Sequence, residues 1–400
     1  MTPESSAATL PCRWTWKKLK HVAWMAAGDA ITSEEIFESG DYPVYGGNGL
    51  RGYTDQFNRK GDFVLIGRQG ALCGNINYAS GAFWASEHAI AADLQGNAEV
   101  RWLGQLLSSM NLNQYSQSAA QPGIAVDVIA NLPIPVPPRS AQLAIARFLD
   151  RETTDIDALI NAKQRLLELL AEKRRAIIAE AVMRGLNPAA PLRPSGIDWL
   201  GDIPAHWEVR RIATLFTQRD ERQRPELPLL EVSINSGVII REFSNDKIEG
   251  TASDFNVYKV AQKNDIAFNK MRMWQGAVGV SPVDGLVSPD YTVANPAPCL
   301  RPEYAGLLFR TDSFSAECGR NSQGITWDRL RLYWDGFRDI FMPLPPLPEQ
   351  DAILEAVQAE TTKIDRLCAA TEHSITLLKE RRSALIAAAV TGQIDIPEAA

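Results

Sequence analysis

Glu152-Thr153-Thr154-Asp155-Ile156-Asp157 and Glu360-Thr361-Thr362-Lys363-Ile364-Asp365 are two copies of one pattern set 208 residues apart in a chain of 400. Outward from this core the correspondence continues in both directions. Upstream stand Pro135, Pro137, Pro138, Gln142, Ala144 and Ile145, matched by Pro343, Pro345, Pro346, Gln350, Ala352 and Ile353. Downstream, Leu169-Leu170, Glu172, Arg174, Ala176, Ile178-Ala179 and Ala181-Val182 return as Leu377-Leu378, Glu380, Arg382, Ala384, Ile386-Ala387 and Ala389-Val390. A duplication of this length makes the chain a tandem of one structural unit.

The prolines forbid helix, and the segment after each cluster is rich in Ala, Leu, Ile, Glu and Arg with no interior breaker, so a long helix is predicted after each. Ile156, Ile160, Leu167, Leu170, Ile177 and Ala181 recur at alternating four- and three-residue steps, with Lys163 and Arg174 interrupting the stripe. The second copy supplies Ile364, Cys368, Ile375, Leu378, Leu385 and Ala389. Two such stripes suit mutual packing as an imperfect antiparallel coiled coil; the alternative is that each helix packs on its own globular neighbour. Gly185 and Gly392 stand at C-cap positions. Asn187-Pro188 through Pro204 is rich in breakers and reads as a linker.

Trp207-Glu208-Val209-Arg210-Arg211-Ile212 then echoes Trp14-Thr15-Trp16-Lys17-Lys18-Leu19, so the segments ahead of the helices also begin alike. Short runs such as Asp62-Phe63-Val64-Leu65-Ile66 and Asp265-Ile266-Ala267-Phe268, separated by Gly, Asn and Asp, read as strands and turns. A helical stretch near Val100 to Met110 makes the unit mixed. The fold class is therefore α+β: two mixed α/β domains and two long helices, related by pseudo-twofold symmetry.

Composition narrows the function. Hydrophobic residues are 45% and charged ones 22%, with no apolar run of about 20 residues, so no membrane span is expected. Met1 to Cys12 lacks the features of a secretory signal, and Cys12, Cys73, Cys299, Cys318 and Cys368 are odd in number and scattered, as expected of reduced thiols in the cytoplasm. His21, His88, His206 and His373 offer no zinc-ligand spacing, and no metal site is expected. The net charge of -7 means that any nucleic-acid binding must use locally concentrated Arg and Lys.

Gly47-Asn48-Gly49-Leu50-Arg51-Gly52 satisfies G-x-G-x-x-G, but turn residues come after it where a dinucleotide site needs a helix, and no acid lies between Asp62 and Glu87. Asn295-Pro296-Ala297-Pro298 lacks the second proline and the aromatic ring of an amino-methyltransferase motif. A phosphate-binding G-x-x-x-x-G-K-[ST] is missing as well, and so is a convincing nuclease acid pair. Donor-rich clusters beside turns remain: Asn48 and Arg51; Arg68 and Gln69; Lys270, Arg272, Trp274 and Gln275; Arg320, Asn321 and Gln323. Arg suits guanine edges, Asn and Gln suit adenine edges, and Lys neutralises phosphate. These are the candidate DNA-binding residues, and no catalytic residue is assigned.

Over nearly its whole length the sequence resembles the specificity subunits of type I restriction-modification systems. The resemblance rests on Tyr258-Lys259-Val260, Phe268-Asn269-Lys270-Met271-Arg272, Trp274-Gln275-Gly276-Ala277, Val287-Ser288-Pro289-Asp290-Tyr291 and Gln323-Gly324-Ile325 in the second half. In the first half it rests on Tyr42-Pro43-Val44-Tyr45-Gly46-Gly47-Asn48-Gly49 and Ile66-Gly67-Arg68-Gln69-Gly70. Leu344-Pro345-Pro346-Leu347-Pro348-Glu349-Gln350 is similar to the family's junction between domain and helix. The resemblance implies target recognition domains at 1–134 and 207–342, a proline junction and helix at 135–184 and again at 343–400, and a linker at 185–206. It further implies a non-catalytic chain whose domains each read half of a bipartite site in double-stranded DNA. Two methylase subunits would dock on the helices and bring S-adenosylmethionine, with nuclease-translocase subunits joining through them. The alternatives from other classes are a stand-alone DNA methyltransferase or nuclease, and a protein-binding scaffold.

Overall fold

A computed structural model describes residues 10–70, 72–116, 123–241, 255–324 and 330–397. The chain divides into two compact units, one made of 1–164 and 372–400, the other of 165–371. The boundaries fall inside the two long helices, Arg139–Arg184 and Leu347–Val390, so each unit owns the start of one helix and the end of the other. Both helices start directly after their proline pairs. Pro348 sits in the first turn of the second helix, where its missing N–H has no intrahelical partner to lose. Gly185 and Gly392, at φ of 77° and 73°, terminate the helices in the left-handed conformation that a Cβ disfavours.

In the first unit a four-stranded antiparallel sheet runs in the order Ala23–Ala27, Ala89–Leu94, Phe63–Gly67, Ile76–Ala79. The second unit repeats it as Phe216–Arg219, Tyr291–Pro296, Ile266–Asn269, Val278–Val280. Each unit also carries a two-stranded ribbon joining its opening segment to the proline cluster: Thr15–Lys18 with Pro133–Val136, and Glu208–Arg211 with Phe341–Leu344. A second sheet in the first unit orders Gly49–Thr54, Tyr42–Gly46, Ala82–Ala85, Arg59–Lys60, and has no four-stranded counterpart among the described residues of the second.

The stretch expected as a linker is folded. Leu192–Pro194 pairs with Asp202–Pro204, and Leu200, Ile203 and Trp207 are buried in the core of the second unit. These apolar residues, spaced between the breakers, give the segment something to bury, and burial outweighs the turn-forming composition. Trp207 packs beside Gly185, as Trp14 and Pro11 pack beside Gly392 in the first unit. Both long helices therefore end against the tryptophan that opens a head.

Within the first unit the helices run antiparallel. Ile145, Ala146 and Leu149 share a core cluster with Ile386, Ala389 and Val390, and Arg382 Nε donates to Asp157 Oδ1 over 2.9 Å. In the second unit Ala181 and Val182 share a cluster with Ile353 and Val357, and Arg174 pairs with Asp365. The two ion pairs are images of each other under the 208-residue displacement. Along the stripe Ile156, Ile160, Leu170, Ile364 and Ile375 are buried, and Leu167, Ile177, Leu378 and Leu385 are half-buried. Thr153, Thr361 and Thr371 are buried beside them, each hydroxyl donating to the carbonyl four residues back. The helix ends pack into the heads while the middles carry the stripe, so the two arrangements weighed from the sequence coexist.

Because the Asp157–Arg382 pair is half exposed, reversing one charge is expected to cost about 0.5–1 kcal/mol. Asp157→Arg combined with Arg382→Asp should recover most of that loss in urea unfolding, and a double variant no more stable than the singles would contradict the pairing.

Candidate nucleic-acid interface

In the first unit three loops converge at the end of the buried strand Phe63–Gly67. The hairpin of Tyr42–Gly46 and Gly49–Thr54 turns through Gly47 and Asn48, with Gly49 at φ 97°. The G-x-G-x-x-G string is thus a hairpin tip, not a strand-to-helix turn. Gly47 passes so close to the next loop that a Cβ on it would lie 3.0 Å from the His88 carbonyl oxygen and 3.5 Å from that of Gln69. The Arg51 side chain lies across Gly46, where an added Cβ would meet its Cδ at 2.5 Å.

This convergence assembles an amide-rich surface. Asn75 Nδ2 donates to Asn48 Oδ1 over 3.1 Å, and His88 Nδ1 lies 3.1 Å from Gln69 Oε1, with its Nε2 3.2 Å from Glu87 Oε1. Asn48 and Gln69 are exposed, each held by one neighbour and still able to offer polar edges outward. Arg68 differs: its guanidinium donates to the Glu87 carbonyl over 3.3 Å, its N–H donates to the His88 carbonyl, and its own carbonyl accepts from Ile124 N–H and the Cys73 thiol. It braces the loops. Burial raises the Cys73 pKa, so the thiol stays protonated as that donor. His88 is not legible as a site residue in the sequence because it is an isolated polar residue beside a strand, and its only signal is proximity in number to Ser86.

In the second unit the strand Ile266–Asn269 opens into the Lys270–Gly276 loop. Asn269 Oδ1 accepts from Met271 N–H, and Trp274 Nε1 donates to the Met271 carbonyl over 3.0 Å, which pins the indole against its own loop. Gly319 passes 3.7 Å from Trp274 Cβ, measured from an ideal Cβ built on the glycine. The Leu332 N–H donates to the Lys270 carbonyl, and Gln323 and Arg331 exchange backbone hydrogen bonds, so the loop lies beside Leu332 and the bridge between Gln323 and Arg331. Arg272, Gln275, Gln323 and Arg331 are exposed there, and Lys270 is half-buried. Asn321 is instead a helix cap, its Nδ2 donating to the Glu317 carbonyl and carboxylate at 2.9 Å, and Arg320 pairs with the same carboxylate at 3.4 Å. Ile325 of the motif Gln323-Gly324-Ile325 lies outside the described residues.

Behind the loop lies a charged core. Asp265 is fully buried and accepts from Arg219 Nε at 2.6 Å, Asn295 Nδ2 at 3.0 Å and Gln262 N–H at 2.9 Å. Asn295, the residue that suggested a methyltransferase motif, is thereby committed to structure. Lys259 is buried as well, its pKa lowered by desolvation against the opposing pull of Asp220, and its Nζ donates to the Tyr291 carbonyl.

Residues 11–169 match the family described as the type I restriction modification DNA specificity domain. Over that part of its length the chain is similar to type I restriction-modification specificity proteins. The chain is 41% identical over 142 residues to the EcoprrI specificity subunit of Escherichia coli, an alignment covering 34% of this chain and 35% of that protein. A putative type I specificity subunit of Haemophilus influenzae is 30% identical over 143 residues, with 34% and 37% covered. The chain thus aligns with only about a third of the length of these relatives. Two solved structures share the fold of this chain. A chain from a study of complex assembly and conformational transition in the type I R-M system has a TM-score of 0.62 at 17% identity, covering 96% of this chain and all of that one. The HsdS subunit of Thermoanaerobacter tengcongensis has a TM-score of 0.54 at 16% identity, covering 98% and 100%. No helix among the described residues of this chain is long and apolar enough to cross a membrane.

Proposed function

We propose that the chain is the DNA-sequence recognition subunit of a type I restriction-modification complex, each unit reading one half of a bipartite duplex site. The observation that carries this reading is the repetition of one sheet in both units, with an exposed loop rich in Asn, Gln, Arg or Lys leaving the equivalent strand end in each. Exposed Arg13, Lys17, Lys18 and Lys20 around the first ribbon supply the local positive charge that an acidic chain needs for phosphate contacts. A helix of 46 residues is on the order of 70 Å long, more than the roughly 34 Å of one duplex turn, which suits a spacer between two reading heads.

The helices also support a partner engaged twice. Leu159 and Leu367, 46% and 47% exposed, are equivalent under the repeat, as are Leu169 and Leu377 at 46% and 50%. Each unit holds one member of each pair, so each presents a like apolar patch, which suits two copies of one methylase subunit. In this reading the chain performs no catalysis, S-adenosylmethionine is held by the methylases, the nuclease-translocase joins through them, and the complex works in the cytoplasm.

Exchanging residues 10–134 for those of a family member of different specificity tests the proposal. Methylated-adenine mapping in the host should then show one half-site changed and the other kept. A swap that alters both halves, or neither, contradicts it, and methyl transfer by the purified chain alone would favour a stand-alone enzyme.

A further inference from the structure

Two glutamines stand out as buried amides that the DNA-reading surface does not use. Gln142 and Gln350 are equivalent under the repeat, 5% and 0% exposed, and both lie in the first turn of a long helix. Gln142 Oε1 accepts from the Glu99 N–H at 2.8 Å while its Nε2 donates to the Pro137 carbonyl at 2.9 Å. Gln350 Oε1 accepts from the Arg301 N–H at 2.7 Å while its Nε2 donates to the carbonyls of Pro345 and Cys299 at 2.8 and 3.0 Å.

Glu99 and Arg301 occupy the N-cap positions of the helices Val100–Ser109 and Pro302–Phe309, one in each head. Neither cap side chain satisfies the exposed end of its helix, so the long-helix glutamine engages that position's backbone instead. An ion pair flanks each glutamine with its polarity reversed between units. Arg139 of the long helix meets Glu99 of the head at 2.9 Å, and Arg301 of the head meets Asp351 of the long helix through two contacts at 2.7 and 2.9 Å. The charges have exchanged sides while the amide has not, which singles out the glutamine as the shared element.

We propose that Gln142 and Gln350 are positioning residues that lock each head to the long helix of its own unit and thereby fix the gap length the chain accepts between half-sites. An amide suits this place because it must accept and donate at once. Glutamate cannot donate while ionised, and methionine does neither. Short bonds converging on a buried group leave the head little freedom to rock about its proline junction. The gap part of this inference rests on the proposed DNA reading; the lock itself does not.

Two measurements separate those parts. Amide hydrogen exchange of the full chain without DNA reads the lock: in Gln350→Met the Arg301 amide should exchange on the order of tenfold faster, as loss of one buried hydrogen bond implies. Gln350→Glu, which keeps the acceptor, should speed it less. Exchange unchanged in both variants overturns the lock. For the gap, the chain purified with its methylase partner is titrated with duplexes carrying the host's mapped site, with the native gap and with one base pair more or fewer. Wild type should discriminate among them, and Gln142→Met or Gln350→Glu should cut that discrimination by about tenfold while leaving the half-site bases unchanged. Variants that lose thermal stability yet keep the wild-type gap ratio would overturn the positioning role. A wild-type complex indifferent to the gap overturns that role as well, and with it the spacer reading, while the exchange result still judges the lock.

Discussion

Asp265→Ala is expected to unfold the second unit at temperatures where the first persists, with a loss of about 3–5 kcal/mol in that unit. The carboxylate has no solvent to fall back on and accepts from Arg219, Asn295 and the Gln262 backbone. Its removal leaves the Arg219 guanidinium, itself only 21% exposed, without its main counter-charge; the remaining acid, Glu221, is 3.7 Å away. A buried charge stripped of its partner costs more than the pair contributes when intact, because desolvation has already occurred. Asp265→Asn should fall between the extremes, since an amide oxygen still accepts but leaves the charge unbalanced. Thermal scans read by limited proteolysis separate the two units. Equal resistance in the Ala variant and wild type would show that the cluster carries no such weight. In the first unit Asp62, at the comparable place before strand Phe63–Gly67, is exposed, so Asp62→Ala should be nearly silent.

The contrast between Asp62 and Asp265 shows what a sequence conceals. Both open similar apolar runs, and nothing nearby in number says which is buried, because the deciding partner, Arg219, arrives 46 residues earlier in the chain. The helices are legible for the opposite reason. Proline exclusion, breaker-free composition and heptad-like spacing are all local, and the duplication states them twice. Strand pairing is not legible: Ala23–Ala27 pairs with Ala89–Leu94, distant in the chain, a choice made by packing. The same limit governs the candidate surface. Residue chemistry picks Asn48 and Gln69 together with Arg68 and Asn321, but hydrogen-bond geometry separates them. The first two present polar edges outward, whereas Arg68 braces loops and Asn321 caps a helix. Gln142 and Gln350 are visible only as matched letters in a repeat, since their function lies in backbone groups that have no letter.

On the proposed DNA reading, Gly67→Ala is expected to abolish recognition of the half-site assigned to the first unit while sparing the second. Gly67 ends the buried strand at the point where the loops meet. A Cβ there would lie 2.4 Å from the Gly47 carbonyl oxygen and 2.7 Å from that of Leu72. Both obstacles are backbone, so no rotamer change relieves them and one of the loops must move. Neither can move alone, because the Gly67 N–H donates to the Asn75 carbonyl at 2.8 Å, the Gly74 N–H donates back to Gly67 at 2.7 Å, and Arg68 is bonded to His88. Displacement of the hairpin carries Asn48 away from Asn75, and displacement of the other loop carries Gln69 away from His88. Either loses the arrangement that holds two amide edges outward, and misplaced base-edge contacts cost about 1–3 kcal/mol each. Two such losses correspond to a fall of roughly thirtyfold to more than ten-thousandfold in affinity for the cognate duplex. A site altered in the other half should bind wild type and variant with a similar ratio. Near-ultraviolet circular dichroism and proteolysis of the second unit should match wild type, which distinguishes a displaced reading surface from a collapsed chain. Wild-type affinity in Gly67→Ala would place the reading surface elsewhere on the first unit. The exposed basic ribbon around Lys17 and Lys18 would then become the region to probe.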